Sequence, residues 1–181
     1  MQPDKEIWDN QFKNNKWEYL NSFEQLGRYA ILVEYMDHFK NSGKFLDVGC
    51  GEGLLFKKYK NHNYTRYVGI DISPTAIQRI NQEEHRNAHF LQADAESYIS
   101  DETFSVIIFN ESIYYFHDPI KTLGHYSSLL EKGGIFLIST STSGNRGIAV
   151  LNMIKAKYHL SDEVKISHLK KHWYCSVFIN K

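Results

Sequence analysis

The apolar positions along this chain change period repeatedly. Short runs of strand character, KFLDVG (44–49), YVGID (67–71), AHFLQAD (88–94), SVIIFN (105–110) and IFLIST (135–140), are separated by stretches where apolar residues recur at helical spacing. In NSFEQLGRYAILVEYMDHF, residues Phe23, Leu26, Ala30, Val33 and Phe39 predict a helix that Ser42-Gly43 ends. GLLFKKYKN and TAIQRINQEE predict two more, the second opened by Ser73 as N-cap and Pro74 as first helical residue. Asp118-Pro119 starts another, with Ile120, Leu123 and Leu130 on its inner face and Gly133-Gly134 at its end. After residue 141 the pattern loosens: GIAVLNMIKAKYHL reads as a helix, and EVKISH and WYCSVFIN as two final strands. SVIIFN is apolar throughout, as a strand buried on both faces must be. Strands alternating with helices predict an α/β fold: a mostly parallel sheet covered by helices on both faces.

Composition narrows the function classes. With 181 residues, 42% of them hydrophobic, the chain is expected to form one domain with a real core. There is no repeat or linker-like stretch, so residues 1–181 are expected to form a single unit: a helical segment, 1–42, ahead of a core, 43–181. Lys+Arg and Asp+Glu are both 21, and a chain without basic excess is not expected to bind nucleic acid. MQPDKEIWDN is polar and acidic, which fits no signal peptide, and no apolar run is long enough for a bilayer; a cytoplasmic protein without membrane contact is expected. Cys50 and Cys175 give neither a zinc spacing nor a disulfide framework, and His159, His168 and His172 lack a companion carboxylate at convincing spacing, so no metal is expected. The excess is in aromatics, 12 Tyr, 11 Phe and 3 Trp, more than a core alone requires and suited to a small-molecule pocket.

The chemistry centres on DVGCGEG, residues 47–53, where Gly49, Gly51 and Gly53 follow the first strand. Ligands of open α/β sheets bind at the carboxyl ends of the strands, and glycines there let backbone N–H groups come against a ligand. The dinucleotide pattern G-x-G-x-x-G would need a third glycine where Leu54 stands. A phosphate loop would need Lys and Ser/Thr, where Glu52 and Leu54 stand. Asp71 ends the second strand at about the 20-residue separation from the first glycines that suits an acid accepting ribose hydroxyls. Asp94 ends the third strand, with Ala95 after it.

FLDVGCGEG resembles the first motif of the class I S-adenosylmethionine-dependent methyltransferases, and the later signals (YVGID, QADAES, FSVIIFNES and LLEKGGIFLIST) follow in that family's order over residues 44–140. The resemblance implies a Rossmann-like, doubly wound, seven-stranded sheet and an enzyme that takes the methyl of S-adenosyl-L-methionine, releases S-adenosyl-L-homocysteine and acts on an O or N atom of a small molecule. It implies cofactor contacts from Asp47, Gly49, Cys50, Gly51, Gly53, Asp71 with Ile72 beside it, Asp94, the Ala95 N–H and Asn110. Asp47 has a second reading, a short acid that bonds the loop N–H groups and holds the turn. The front segment, with Trp8, Phe12, Trp17 and Tyr19, resembles the covering segment of nodulation N-methyltransferase and thiopurine-methylating enzymes, and Arg28 is the candidate for the cofactor carboxylate, or else an exposed helix residue. His117, Tyr115 and Glu111 are the catalytic candidates, His117 as a base titrating near neutrality or simply as part of a helix start. Asn110-Glu111-Ser112-Ile113 stands where amino-methyltransferases of DNA adenine and protein glutamine have Asn-Pro-Pro-Tyr. His168, His172 and Trp173 are expected on the far side of the acceptor pocket, and STSGNRG (141–147) as a flap. A cofactor-binding protein without turnover, an enzyme acting on RNA or protein, and a nicotinamide oxidoreductase are the competing classes; a monomer or homodimer is expected.

Overall fold

The computed structural model describes residues 5–179. In chain order it has α1 (Lys5–Lys13), two single turns of 3-10 helix (Glu18–Asn21, Phe23–Gln25), α2 (Leu26–His38), β1 (Lys44–Val48), α3 (Leu54–Tyr59), β2 (Arg66–Asp71), α4 (Pro74–Ile80), β3 (Ala88–Gln92) and β4 (Phe104–Asn110). A 3-10 turn (Ile113–Tyr115), α5 (Pro119–Ser127), β5 (Leu130–Ser141), α6 (Asn145–Lys157), β6 (His159–His168) and β7 (Lys171–Ile179) complete it. The predicted strand WYCSVFIN ends on Asn180, which lies outside the described residues.

The seven strands form one sheet in the order β3-β2-β1-β4-β5-β7-β6. Pairings from β3 to β5 are parallel, while β7 runs antiparallel to both β5 and β6. Alternation along each strand divides the core. Phe45, Tyr67, Val106, Ile108 and Leu137 point to one face, under α2, α3 and α4. Leu46, Val68, Ile107, Phe109 and Phe136 point to the other, under α5 and α6. The chain runs outward from β1 to β3 and then returns to β4, so strand order reverses between β1 and β4, where this architecture makes its ligand crevice. The mostly parallel sheet predicted from the pattern is present, with the doubly wound, seven-stranded order that the resemblance implies. Among the described residues no helix is long and apolar enough to cross a membrane.

Several boundaries differ from the pattern: α4 ends at Ile80 rather than Glu84, and β3 ends at Gln92, so that Asp94 lies in the loop just past the strand it was expected to end. α2 begins only at Leu26, and Phe23 and Leu26 are 78% and 43% exposed; the buried stripe is Arg28, Tyr29, Leu32 and Met36. The periodicity selects the neighbouring face because a buried arginine interrupts the apolar stripe. α5 ends at Ser127, and Leu130 pairs with Phe104 as the start of β5 before an irregularity, with Gly133 at φ +77°, that precedes the Val106–Ile135 pairing. α6 stops at Lys157, so that His159 and Leu160, predicted helical, open a ten-residue β6.

Candidate functional site

The turn after β1 is held from three sides. Gly49, Gly51 and Gly53 all have positive φ (+77°, +55° and +67°). At Gly49 a Cβ would lie 2.7 Å from the Ser112 Cβ, because the loop after β4 packs directly on this turn and the Ser112 hydroxyl donates to the Val48 carbonyl (2.6 Å). At Gly51 the N–H donates to Asp71 Oδ2 (2.9 Å), and a Cβ would sit 3.3 Å from the Phe12 ring. Asp71 Oδ1 accepts from the Ser73 N–H (2.9 Å), so one carboxylate ties the glycine turn to the turn after β2. Burial pushes the Asp71 carboxyl up, and the N–H groups of Ser73, Gly51 and Ile72 oppose that shift by stabilising the charged form.

A single cavity of about 780 Å³ runs along this edge. Gly49, Cys50, Gly51, Asp71, Ile72, Asp94, Ala95, Asn110, Glu111 and Tyr115 all line it, so most of the predicted site residues come together. Its size lies in the upper part of the range for pockets that hold drug-sized ligands, about 300–1,000 Å³, which leaves room for a cofactor and a compact second molecule. The front segment contributes Trp8, Phe12, Trp17 and Tyr19, and Trp173 closes the far side. Asp94 is exposed at its rim, where its Oδ1 accepts from the Glu96 N–H (2.9 Å).

Glu111 is the most constrained group at the β4 edge. It adopts φ +59°, a left-handed conformation rare for a residue with a side chain and typical of strain kept at functional positions. Its carboxylate accepts from the Tyr114 hydroxyl (2.9 Å), the Ser141 N–H (3.0 Å) and the Ser139 hydroxyl (3.0 Å). Tyr115, next to Tyr114, has its ring edge-on to Trp8 at 4.7 Å. Arg146, on the opposite lip, donates to the Phe116 carbonyl.

Six predicted residues stand elsewhere: His117, Arg28, Asp47, Gly53, His168 and His172. His117 is exposed and outside the cavity lining, and its backbone N–H donates to Glu96 Oε1, so in this structure it does not stand with the groups at the β4 edge. Arg28 is neither an exposed helix arginine nor part of the lining. It is fully buried behind the wall, its guanidinium donating to Gln25 Oε1 and Asn110 Oδ1 and lying over the Tyr29 ring at 4.4 Å. Asp47 does not hold the glycine turn. It lies buried on the α2–α4 face, where its Oδ2 accepts from the Tyr67 hydroxyl (2.8 Å) while Oδ1 has no partner among the described residues. Gly53 shapes the entry to α3 without reaching the cavity. Of the C-terminal trio only Trp173 lines the cavity; His168 packs against Phe23 and His172 bonds the Ser167 hydroxyl. Ser112 and Tyr29 line it without having been singled out, since their places depend on pairings between distant segments, and Arg146 lines it as part of the segment expected to form a flap.

Burial pushes the Asp47 carboxyl up to about 7, against the Tyr67 hydrogen bond. A carboxyl whose folded pKa lies above its unfolded one contributes stability that is fully present below about pH 4 and is lost as pH rises through 7. Asp47→Asn, which cannot ionise, is therefore expected to become the more stable protein as pH rises, by on the order of a few kcal/mol at pH 8. Urea unfolding of both proteins at pH 5 and pH 8 measures this, and an unchanged difference between them would refute it.

Residues 17–180 match the family model described as a methyltransferase domain. Over 110 residues the chain is 29% identical to malonyl-[acyl-carrier protein] O-methyltransferase 1 of Ilyobacter polytropus, covering 59% of this chain and 40% of that protein. It is 30% identical over 139 residues to tRNA (guanine-N(7)-)-methyltransferase of Prochlorococcus marinus, covering 66% of each. The chain thus spans 40% to 66% of the length of these relatives. It superposes on the crystal structure of N-methyltransferase NodS from Bradyrhizobium japonicum WM9 in complex with S-adenosyl-L-homocysteine, with a TM-score of 0.72 over 91% of this chain and 92% of that one, at 18% identity. At that identity the likeness is one of fold.

Proposed function

The chain belongs to the methyltransferase-domain family, and from that premise we propose that it transfers a methyl group from S-adenosyl-L-methionine to an O or N atom of a small molecule. The observation that carries this reading is the tie between the glycine turn and Asp71, with Asp94 and Ala95 at the next strand end along the same cavity. The residues fit the cofactor: the side-chain-free turn admits close approach, Asp71 keeps lone pairs for ribose hydroxyls, and we read the Ala95 N–H and Asp94, at the rim of the same cavity, as the groups that would meet an adenine edge. The loop carries the Glu52 carboxylate, already paired with Arg79, in place of a phosphate-binding lysine, which suits a sulfonium and an amino group.

When bound, the cofactor would supply a sulfonium methyl whose carbon is open to in-line attack by an acceptor lone pair, the new bond to carbon forming as the carbon–sulfur pair returns to sulfur, and the glycine turn with Asp71 would hold it. The protein's part is to hold donor and acceptor in line and to exclude water. Trp8, Trp17 and Tyr115 enclose the acceptor end. Glu111 is the group placed to receive a proton from an acceptor that starts protonated, and the Tyr114, Ser139 and Ser141 donors fix its carboxylate. We read the chain as a single domain whose front segment, described from residue 5 to residue 42, covers the core, as cytoplasmic, as a monomer or homodimer, and as having no nucleic-acid partner. The similarity to a tRNA methyltransferase favours an RNA substrate as the second reading; a chain with equal numbers of acidic and basic residues offers little to a phosphate backbone.

Isothermal calorimetry of the purified protein is expected to show binding of both S-adenosyl-L-methionine and S-adenosyl-L-homocysteine. A metabolite extract incubated with methyl-labelled cofactor is expected to yield a labelled small molecule, whereas label appearing in RNA would replace the first reading by the second. Absence of heat with either cofactor form would remove both.

A further inference from the structure

Asp9 has no counterpart among the motifs and stands outside the cavity, yet it joins the front helix to the turn that carries Asp71. It is a buried carboxylate on an otherwise exposed part of α1. Its Oδ1 accepts from the Ser73 hydroxyl (2.8 Å) and from the Thr75 N–H (2.9 Å), both at the start of α4, and its Oδ2 meets Lys13 Nζ at 2.8 Å one turn along α1. These donors hold its carboxyl well below the usual carboxylate range, with Lys13 the largest influence. Ser73 is the same residue whose N–H bonds Asp71 Oδ1, so Asp9, Ser73, Asp71 and Gly51 form one continuous chain of hydrogen bonds.

The rest of α1 spans the cavity from that anchor. Residues four apart share a helix face, which brings Trp8 and Phe12 together on the side facing inward. Phe12 lies over Gly51, Trp8 stands edge-on to Tyr115 at 4.7 Å, and Trp17 stacks on Trp8 at 5.9 Å. The cavity beside that contact is therefore bounded by Trp8 and Phe12 on the side of α1. The apolar contacts of α1 are spread along the cavity and yield gradually; the Asp9 bonds are directional and fail together once α1 moves by a hydrogen-bond length.

We propose that Asp9 is a positioning residue that latches α1 across the cavity, and that breaking this latch is the step that lets a bound cofactor leave. The proposal rests on the methyltransferase reading for the identity of the ligand; the latch itself is a property of the chain without ligand. Asp9→Ala removes every bond at once, whereas Asp9→Asn keeps an acceptor oxygen for Ser73 and Thr75 but replaces their charge-assisted bonds by weaker neutral ones. Dissociation of S-adenosyl-L-homocysteine, followed by the tryptophan emission of Trp8, Trp17 and Trp173 in stopped flow, is expected to be tenfold or more faster for Asp9→Ala and intermediate for Asp9→Asn. Lys13→Ala is expected to stay within twofold, because that side chain is 61% exposed and such pairs contribute little. Melting temperatures identify a variant that fails to fold, and the Asn substitution, which preserves the shape of the site, then decides. An off-rate within twofold of wild type for both Asp9 variants overturns the latch. If wild type binds no cofactor at all, the methyltransferase reading fails instead, and the latch is judged by amide exchange of residues 5–13: faster exchange there in the Asp9 variants, with the sheet unchanged, supports it, and equal exchange overturns it.

Discussion

Replacing Asp71 by Ala is expected to weaken S-adenosyl-L-methionine binding by about a hundredfold or more. Two charge-assisted hydrogen bonds to a ribose diol are worth about 3 kcal/mol or more together, and every 1.4 kcal/mol is about tenfold in affinity. The loss extends beyond the ligand. With Asp71 gone, the Gly51 and Ser73 N–H groups lose their common acceptor, and the turn that meets the cofactor is no longer fixed to β2. Asp71→Asn separates the two contributions, since its one carbonyl oxygen can serve Gly51 or Ser73 but not both, and it presents an amide N–H₂ where the ligand donates. It is expected to bind nearly as poorly as the Ala variant while melting closer to wild type. Calorimetric titration beside a thermal melt reads both, and cofactor affinity within threefold of wild type in the Ala variant would contradict the site.

The second large effect is expected at Gly49. Alanine there needs φ +77° and puts a Cβ 2.7 Å from the Ser112 Cβ, a separation real side chains do not adopt. A left-handed residue costs about 1–3 kcal/mol, and forcing extra volume into a packed site costs about as much again. For a chain of this length that is a fall of roughly 5–15 °C in melting temperature. Cofactor affinity should fall with it, because the same displacement moves the Gly51 N–H and separates the turn from Asn110 and Glu111. Ser112→Gly in the Gly49→Ala background removes the clashing Cβ and is expected to restore part of the melting temperature, the left-handed strain remaining. A single variant as stable as wild type would show that the turn relaxes without cost.

How much of this could be read from residues alone follows from what each feature depends on. The glycine turn and the acids after β2 and β3 were legible because the backbone and the ligand edge dictate them within a few residues of the strand that carries them. The strands were legible for a similar reason, since a buried parallel strand must be apolar throughout. Arg28 was not, because what buries it is Asn110, 82 positions further on, and Gln25 beneath it. Asp47 looks like a loop-binding acid in sequence and is instead turned to Tyr67 by the side alternation of β1. His117 follows the right strand but lies past a 3-10 turn that points it outward, a rotation no periodicity reports. Asp9 gave no signal at all: an acid among polar neighbours on a short helix becomes buried only because α4 begins beneath it.

The sheet order carries a consequence for the chain as it is made. β6 touches the sheet only through β7, and β7 lies between β6 and β5. On a growing polypeptide the first five strands can assemble as they emerge, with every parallel pairing already satisfied. β6 then appears with nothing to bind, and the long apolar edge of β5 stays open until residues 171–179 have cleared the ribosome. The hairpin must form first and dock as a unit, closing the edge in one late event. The interval before that event is when a nascent chain of this topology is most open to pairing with its neighbours, and its length is set by translation from the end of β5 at Ser141 to the end of β7 at Ile179, roughly 2–8 s at 5–20 residues per second.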